Sequence, residues 1–193
     1  MFKAVTRRAA LALVVVGMIA GAPAMALAGP KLVIDVNGQA KGTVVIDLDE
    51  KAAPNHVARL IKLAESGAYD GVVFHRVISG FMAQTGDVAF GKRGGDTSLA
   101  GRGGSDLPDL KAEFSNIPFK TGTVGMARGG DPNSANSQFF IMFDDGPSLN
   151  GQYTVVGQVE SGMSVVRAIK KGRSAQNGAV TDPDYMVKVR VRR

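Results

Sequence analysis

Short runs of alternating apolar and polar residues, each ended by glycine or another turn residue, are the feature that most constrains the fold. The first two runs, residues 31–36 and 42–48, flank an Asn-Gly dipeptide at 37–38 that is typical of a tight hairpin. Two more strands, separated by a turn, are predicted within residues 71–87. Four further strands are predicted within residues 121–130, 137–143, 151–160 and 185–193.

Only two segments show the spacing of apolar residues that is typical of a helix. Residues 53–71 carry Pro54 at an early helical position and Gly67 as a stop, and residues 161–172 end in a basic turn. The helices do not alternate regularly with the strands, which argues against a parallel sheet. We therefore expect a mostly β protein: a closed, eight-stranded antiparallel β-barrel with two capping α-helices.

The last strand and the longest loop complete this prediction. In residues 185–193, strict alternation places Met186, Lys188 and Arg190 on one face and the intervening valines on the other. Residues 89–110 are rich in glycine and lack periodicity, so they are predicted to form a long surface loop.

Residues 1–28 have the pattern of a secretory signal peptide. Three basic residues precede a short apolar stretch at 9–22, and the tripeptide Ala-Leu-Ala ends at residue 28. We predict cleavage there, leaving one domain at residues 29–193; an uncleaved anchor is the alternative. The Arg7-Arg8 pair leaves both the general and the twin-arginine export routes open. Export predicts a periplasmic location, with an extracellular or envelope-anchored location as the alternative.

The chain has no cysteine and only two histidines, His56 and His75. This composition excludes a disulfide framework, a thiol nucleophile, and a metal site built from thiolates or several histidines. His56 lies near the start of the first predicted helix and is interpreted as a surface polar residue.

The charge balance does not indicate nucleic-acid binding. The chain has 23 basic and 17 acidic residues, but three of the basic residues belong to segment 1–28, which leaves 20 against 17, or +3. Such a surface is only mildly basic. Arg-Gly-Gly triplets begin at Arg93, Arg102 and Arg128, but they are widely separated, so RNA binding is a remote alternative.

The segment FHRVISGFMAQTGD, residues 74–87, places polar groups among apolar ones. Strand alternation puts Phe74, Arg76 and Ile78 on one side of the strand. His75 and Val77, which flank Arg76, lie on the other side. A lone arginine in a strand most often faces solvent, but the large apolar residues on this and two other segments favour a position of Arg76 in a groove.

Five large apolar residues on three segments are too many for one small barrel interior. These are Phe81, Met82, Phe139, Phe140 and Leu149, and two amides, Gln84 and Gln138, lie on the same segments. Apolar walls with one cation and two amides predict a preformed binding groove for a ligand with an apolar ring and carbonyl oxygens.

The segments FHRVISGFMAQTGD, GMARGGDPNSANSQFFIMF and SLNGQYTVVGQV resemble those of cyclophilin-type peptidyl-prolyl cis-trans isomerases, and the resemblance covers essentially all of residues 29–193. It implies the cyclophilin-like barrel, catalysed rotation about X-Pro bonds, and no cofactor or metal. The partners it implies are proline-containing peptides and unfolded exported proteins. We expect a monomer, with no nucleic acid and no membrane contact beyond the signal peptide.

The resemblance also implies the roles of individual residues. Arg76 and Gln84 match the catalytic positions, and His75 matches a supporting histidine beside the arginine. The matches to substrate-binding positions are Phe81, Met82, Ala127, Arg128, Gln138, Phe140, Leu149 and Tyr153.

Some positions depart from the family pattern. Ser148 stands where drug-sensitive members have tryptophan, and Tyr153 stands where they have histidine, so cyclosporin binding is expected to be weak. Arg128 and Ser148 change the rim of the groove, which supports an alternative: a proline-binding chaperone or scaffold with weak isomerase activity.

Overall fold

A computed structural model describes Met1 and residues 29–193 of the chain. The predicted signal peptide therefore lies, apart from Met1, outside the described residues. The elements are β1 Lys31–Asn37, β2 Gly42–Leu48, α1 Pro54–Glu65, β3 Arg76–Ile78, β4 Met82–Thr85, β5 Thr123–Met126, β6 Phe139–Met142, β7 Val155–Ser161, α2 Met163–Ala168 and β8 Tyr185–Arg192. No helix among the described residues is long and apolar enough to cross a membrane.

The eight strands form one sheet in the order β3-β4-β6-β5-β7-β2-β1-β8, and neighbouring strands are antiparallel. The predicted mostly β class, the eight antiparallel strands and the two helices are confirmed. The predicted closure is wrong, because the sheet is an open half-barrel whose edge strands, β3 and β8, do not form a ladder with each other.

The short strand β3 explains why the sheet stays open. Its outer edge is occupied by a later segment of the chain: Val77 N–H donates to Gly178 O at 2.8 Å, and Gly172 N–H donates to Val77 O at 2.9 Å. The approach to β8 is limited to the chain before β3, where Val73 and Tyr185 form an isolated bridge.

The apolar residues form two clusters on opposite faces of the sheet. The adjacent residues Phe139 and Phe140 of β6 point into different clusters, as strand alternation requires. Phe139 belongs to the main core beneath α1, where it packs edge-on against Tyr69. Phe140 belongs to a smaller cluster with Met82 and Phe119, and this cluster forms the base of the site described below.

The first N–H groups of helix α1 are bound by a carboxylate that lies far away in the sequence. The backbone N–H groups of Asn55 and His56 donate to the Glu113 carboxylate at 3.1 Å each. Glu113 Oε2 also lies 2.6 Å from His56 Nδ1, and His56 is fully buried. The prediction of a surface histidine is therefore wrong, since Glu113 supplies a partner inside the fold.

A β-bulge disrupts the predicted alternation of β8. The register with β1 shifts between Asp35 and Val36, so that Asp35 pairs with Lys188 and Val36 pairs with Met186. Val187 is the extra residue and is 45% exposed, whereas Met186 and Val189 are both buried. The prediction that Val187 shares a face with Val189 is wrong for this reason.

The predicted loop at residues 89–110 is confirmed: it contains two isolated bridges but no ladder strand or helix. Asp87, at its start, is fully buried and accepts four backbone N–H groups. The donors are Ala89 at 3.1 Å, Phe90 at 2.9 Å, Gly101 at 2.7 Å and Gly103 at 2.9 Å. One carboxylate therefore fixes both the beginning and the middle of the loop.

Candidate active site

Three adjacent strands place Arg76, Gln84 and Phe140 in one row. Arg76 of β3 lies opposite Gln84 of β4, and Gln84 lies opposite Phe140 of β6. Residues directly opposite on neighbouring strands share a face of the sheet. The row continues to Gly125 of β5, where a Cβ atom would lie 2.6 Å from Phe140 Cζ and 2.6 Å from Phe119 Cε1. Glycine at this position leaves room for the Phe140 ring.

The Arg76 guanidinium is held by three neutral oxygen acceptors, and Met82 Sδ is a weaker fourth acceptor 4.0 Å from Nη1. Nη1 donates to Gln84 Oε1 at 3.0 Å, while Nε and Nη2 donate to the backbone oxygen and side-chain Oδ1 of Asn177, each at 3.1 Å. Among the described residues, no carboxylate lies within 4.0 Å of Arg76. Burial lowers the pKa of Arg76 from its ordinary value, but a guanidinium remains charged at neutral pH. The site therefore presents a fixed, unneutralised positive charge.

A chain of hydrogen bonds continues from Gln84 into the glycine-rich loop. Gln84 Nε2 donates to Gln138 Oε1 at 2.9 Å, and Gln138 Nε2 donates to Gly103 O at 2.7 Å. Each amide accepts on one side and donates on the other, so its orientation is fixed by both neighbours. The two predicted amides thus support the arginine as a connected unit.

Beside Arg76 lies a cavity of about 160 Å³, which we call the first cavity. Phe140, at its base, is stacked against Phe119 and meets Tyr153 edge-on. Nine of the ten residues predicted for catalysis and substrate binding line the first cavity: Arg76, Phe81, Met82, Gln84, Ala127, Arg128, Phe140, Leu149 and Tyr153. The tenth, Gln138, lines an adjoining second cavity.

Arg128 lies on the rim of the first cavity. Its Nη2 donates to Gln152 O at 3.0 Å and its Nη1 to Gly129 O at 2.9 Å, while Cζ lies 4.5 Å from the centre of the Tyr153 ring. The side chain thereby joins the segment after β5 to the segment around Tyr153. Its charge is held at the mouth of the cavity by carbonyl oxygens and an aromatic face.

His75 lies outside the first cavity. Only 9% of its surface is exposed, and neither ring nitrogen has a hydrogen-bond partner among the described residues. Burial lowers its pKa to about 4, although the negative charge of Asp87 opposes this shift. The His75 ring is thus uncharged at neutral pH. Because it does not line the first cavity, it is not placed to transfer a proton to a ligand there.

The side-chain directions near His75 differ in one respect from the prediction. Phe74 was expected to share the face of Arg76, but it packs in the main core together with Val77. Regular strand pairing begins only at Arg76, and strict alternation therefore does not extend back to Phe74.

Sequence reasoning missed two residues that complete the site. Asn177, which holds the arginine, adopts a left-handed backbone conformation with φ of 50° at the end of a short 3-10 turn, Ser174–Gln176. The Asn177-Gly178 dipeptide is a turn signal, but it does not reveal that the turn reaches a strand about 100 positions earlier. Gly103 contributes only a backbone oxygen, which leaves no signal in the sequence.

The arrangement is suited to binding and orienting a ligand. It offers a cavity with apolar side chains for a ring, a fixed cation in the wall of that cavity, and amide groups for a peptide backbone. No cluster of three or more histidine, cysteine, aspartate or glutamate side chains able to hold a metal occurs within the described ranges.

Comparison with known proteins agrees with this geometry. The sequence profile of the family described as "Cyclophilin type peptidyl-prolyl cis-trans isomerase/CLD" matches residues 32–191. A "Probable peptidyl-prolyl cis-trans isomerase" of Brucella suis biovar 1 (strain 1330) is 62% identical over 152 residues, which is 78% of this chain and 78% of the relative.

Two solved structures share the fold. A crystal structure of a cyclophilin from Hirschia baltica has a TM-score of 0.68 and 27% identity, covering 82% of this chain and 72% of that one. A Cryptosporidium parvum cyclophilin-type isomerase, crystallised in the presence of the dipeptide Ala-Pro, has a TM-score of 0.71 and 23% identity, covering 84% and 99%. The fold, the match to the family profile and the Brucella suis relative together show that the chain belongs to the cyclophilin-type peptidyl-prolyl cis-trans isomerase family.

Proposed function

We propose that this isomerase binds the prolyl ring of its substrate in the first cavity and that Arg76 is its catalytic residue. The observation that carries the proposal is that Arg76, held by uncharged acceptors, lines a cavity together with large apolar side chains. The ring would lie against Phe140, Met82 and Leu149. Crystallisation of the Cryptosporidium parvum protein in the presence of the dipeptide Ala-Pro supports the choice of a prolyl ligand.

Rotation about an X-Pro bond requires no bond cleavage, and hence no acid, base or nucleophile. The barrier, about 18–20 kcal/mol, arises from amide resonance. In the transition state the prolyl nitrogen loses its double-bond character and becomes a better hydrogen-bond acceptor. Gln84 and Asn177 accept from three of the five guanidinium N–H groups of Arg76, and Nη1 also donates weakly to Met82 Sδ at 4.0 Å. One N–H group of Nη2 is left to donate to the substrate, and the weak bond to Met82 can be exchanged for a second.

The arginine alone does not account for the expected rate. An acceleration of about 10⁵-fold requires about 7 kcal/mol of transition-state stabilisation. One hydrogen bond from a charged donor contributes about 1.5–3 kcal/mol. The rest must come from holding the ring in the cavity and orienting the rotating amide. The support of Arg76 matters here, because a guanidinium that is already positioned loses little freedom when it binds the transition state.

The residue before proline is assigned to the surface around Ala127 and Gln138. The Ala127 N–H already donates to the Gln138 backbone oxygen at 2.9 Å. The Ala127 carbonyl is therefore the group that can accept a hydrogen bond from the substrate backbone, in the manner of an added strand.

The experiment that tests the catalytic assignment compares Arg76→Ala with Arg93→Ala in catalysed isomerisation of a short X-Pro peptide. Loss of one charged hydrogen bond predicts a fall in kcat/KM of about 10- to 100-fold for Arg76→Ala. Arg93 lines neither cavity and stacks on Tyr185, so its variant serves as the matched control. Near-wild-type turnover by a folded Arg76→Ala protein would refute the assignment.

We further infer that the enzyme assists the folding of exported proteins in the periplasm. The support comes from the signal-like pattern of residues 1–28, with its basic start and its small-residue cleavage motif. N-terminal sequencing of the protein from a periplasmic fraction should give Gly29 as the first residue. Recovery of the intact chain from the cytoplasm would contradict both cleavage and location.

A further inference from the structure

The first cavity continues into a second cavity of about 220 Å³. The two share Gln84, Ala127 and Arg128, so a peptide bound in the first can extend directly into the second. The lining of the second cavity also includes Gly101, Arg102, Gly103, Ser134, Asn136 and Gln138.

Arginine supplies all of the charge in this lining. It includes Arg102 and Arg128 but no aspartate or glutamate. Arg102 is exposed and forms no side-chain hydrogen bond or ion pair with the described residues. Arg128 bonds only to carbonyl oxygens, which leave its charge unneutralised.

Three acidic residues beside the second cavity already accept hydrogen bonds from the protein itself, and one of them, Asp109, accepts Asn136 Nδ2 at 2.9 Å. Asp87 lies below the loop, fully buried, and accepts N–H groups from both neighbours of Arg102, Gly101 and Gly103. Asp131 is exposed, and its carboxylate accepts the Asn133 N–H at 2.8 Å.

The backbone of Arg102 is held in place before any ligand arrives. Gly101, with φ of 98°, adopts a left-handed conformation that glycine readily accepts, and Asp87 holds the amides on both sides of Arg102. Gly103 in addition accepts Gln138 Nε2, which connects this part of the loop to the support of Arg76. Only the side chain of Arg102 needs to become ordered on binding.

We propose that the second cavity binds an acidic side chain of the substrate close to the proline, and that Arg102 and Arg128 determine this preference. The inference rests on the proposed site, since it assumes that the proline occupies the first cavity. A carboxylate there would meet two guanidinium groups, with Ser134, Asn136 and Gln138 as neutral polar neighbours.

The test measures kcat/KM for a series of proline peptides that place Glu, Gln or Lys in turn at each position flanking an Ala-Pro pair. For the wild-type enzyme, one position should favour Glu over Gln by about 3- to 10-fold, as expected for a partly exposed ion pair. Lys at that position should be disfavoured, and the preference for Glu should decline as salt is added. In Arg102→Gln the Glu-to-Gln ratio should approach one, whereas Arg102→Lys should retain most of it.

The matched control is Arg93→Gln, which makes the same change of charge in the same glycine-rich loop. Arg93 stacks on Tyr185 at 4.0 Å and lines neither cavity, so the Glu-to-Gln ratio should remain at the wild-type value. An equal loss of preference in Arg93→Gln would assign it to overall charge and overturn the proposal. A ratio near one at every position in an active wild-type enzyme would also overturn it, while leaving the assignment of the first cavity intact. If Arg76→Ala isomerised every peptide as fast as wild type, the proposed site itself would fail.

Discussion

Asn177 holds the Arg76 guanidinium at two points: its backbone oxygen accepts from Nε and its side-chain oxygen accepts from Nη2, each at 3.1 Å. The φ angle of Asn177 is 50°, a left-handed conformation that asparagine tolerates better than most residues. The next residue, Gly178, accepts the Val77 N–H and so attaches the turn to β3. We interpret Asn177 as a positioning residue that orients the catalytic side chain.

Replacing Asn177 with glycine distinguishes the contribution of the Asn177 side chain from that of its backbone oxygen. Asn177→Gly keeps the left-handed conformation and the bond to Nε, but removes the acceptor for Nη2. Loss of one neutral acceptor predicts a fall in kcat/KM of about 3- to 10-fold. The melting temperature should change little, and a variant as active as wild type would show that the Asn177 side chain does not position Arg76.

Asn177→Asp tests whether the catalytic charge must remain unneutralised. The substitution preserves the acceptor and nearly the same shape, but it places a carboxylate beside Arg76. If the full positive charge favours the transition state, the kcat of Asn177→Asp at pH 7 should fall below that of Asn177→Gly. Isomerisation assays on the two variants give the comparison directly, and greater activity in the aspartate variant would contradict the electrostatic role.

Gln84 and Gln138 should act as one unit. The bond between them, 2.9 Å long, joins the support of Arg76 to the glycine-rich loop. Single Gln84→Ala and Gln138→Ala variants should each reduce kcat/KM, but the double variant should lose less than the product of the two. A coupling energy of about 0.5–3 kcal/mol is expected for residues in one network. Strictly additive losses would indicate two independent roles.

His75 should make the fold sensitive to acid. Its pKa is 6.5 in its ordinary state and about 4 in the folded protein, where burial disfavours the charged ring. Between these pH values the unfolded chain binds more protons at His75 than the folded protein does. The contribution of His75 to the free energy of unfolding is therefore fully present above pH 6.5 and is lost as the pH falls toward 4. The loss contributed by this one group is on the order of 3 kcal/mol.

Urea unfolding of wild type and His75→Gln at pH 7, 5.5 and 4.5 measures this contribution. The free energy of unfolding should decrease less steeply with acidification in the variant. Carboxylates with lowered pKa, such as Glu113, add their own loss of stability at lower pH. Parallel decreases in the two proteins between pH 7 and 4.5 would exclude a buried, neutral His75.

Cyclosporin should bind weakly. Ser148 lies exposed on the 3-10 turn Pro147–Leu149, at the position where the family resemblance places a tryptophan in drug-sensitive members, and the chain has no tryptophan. The indole contact with the drug is therefore lost, while Phe140 and Arg76 remain in place for catalysis. Inhibition of isomerisation should require concentrations far above nanomolar, and a nanomolar inhibition constant would contradict the prediction.

Several sequence segments taken together, with the family resemblance, were sufficient to predict much of the site. Arg76, Gln84 and Phe140 lie on short strands whose pairing places them side by side. The residues that were missed or misjudged depend on distant partners. His56 is buried because Glu113 reaches the start of α1, and Asn177 matters because its turn returns to β3.

The open sheet has the same kind of cause. Strand patterns indicate how many strands exist, but not which edges remain occupied by irregular chain. Here the bonds from Val77 to Gly172 and Gly178 use the free edge of β3, and the bulge at Val187 changes the register of β8. Neither feature follows from alternation, because both are decided by long-range hydrogen bonds.

The chain of hydrogen bonds from Arg76 through Gln84 and Gln138 to Gly103 contains one ionisable group, the guanidinium. The remaining links are two amides and a peptide carbonyl, none of which gains or loses a proton in water at ordinary acidity. The position of the Arg76 guanidinium should therefore not change with the pH of the solution. Acid can unfold this enzyme through groups such as His75, but as long as it stays folded, its turnover should hardly depend on pH.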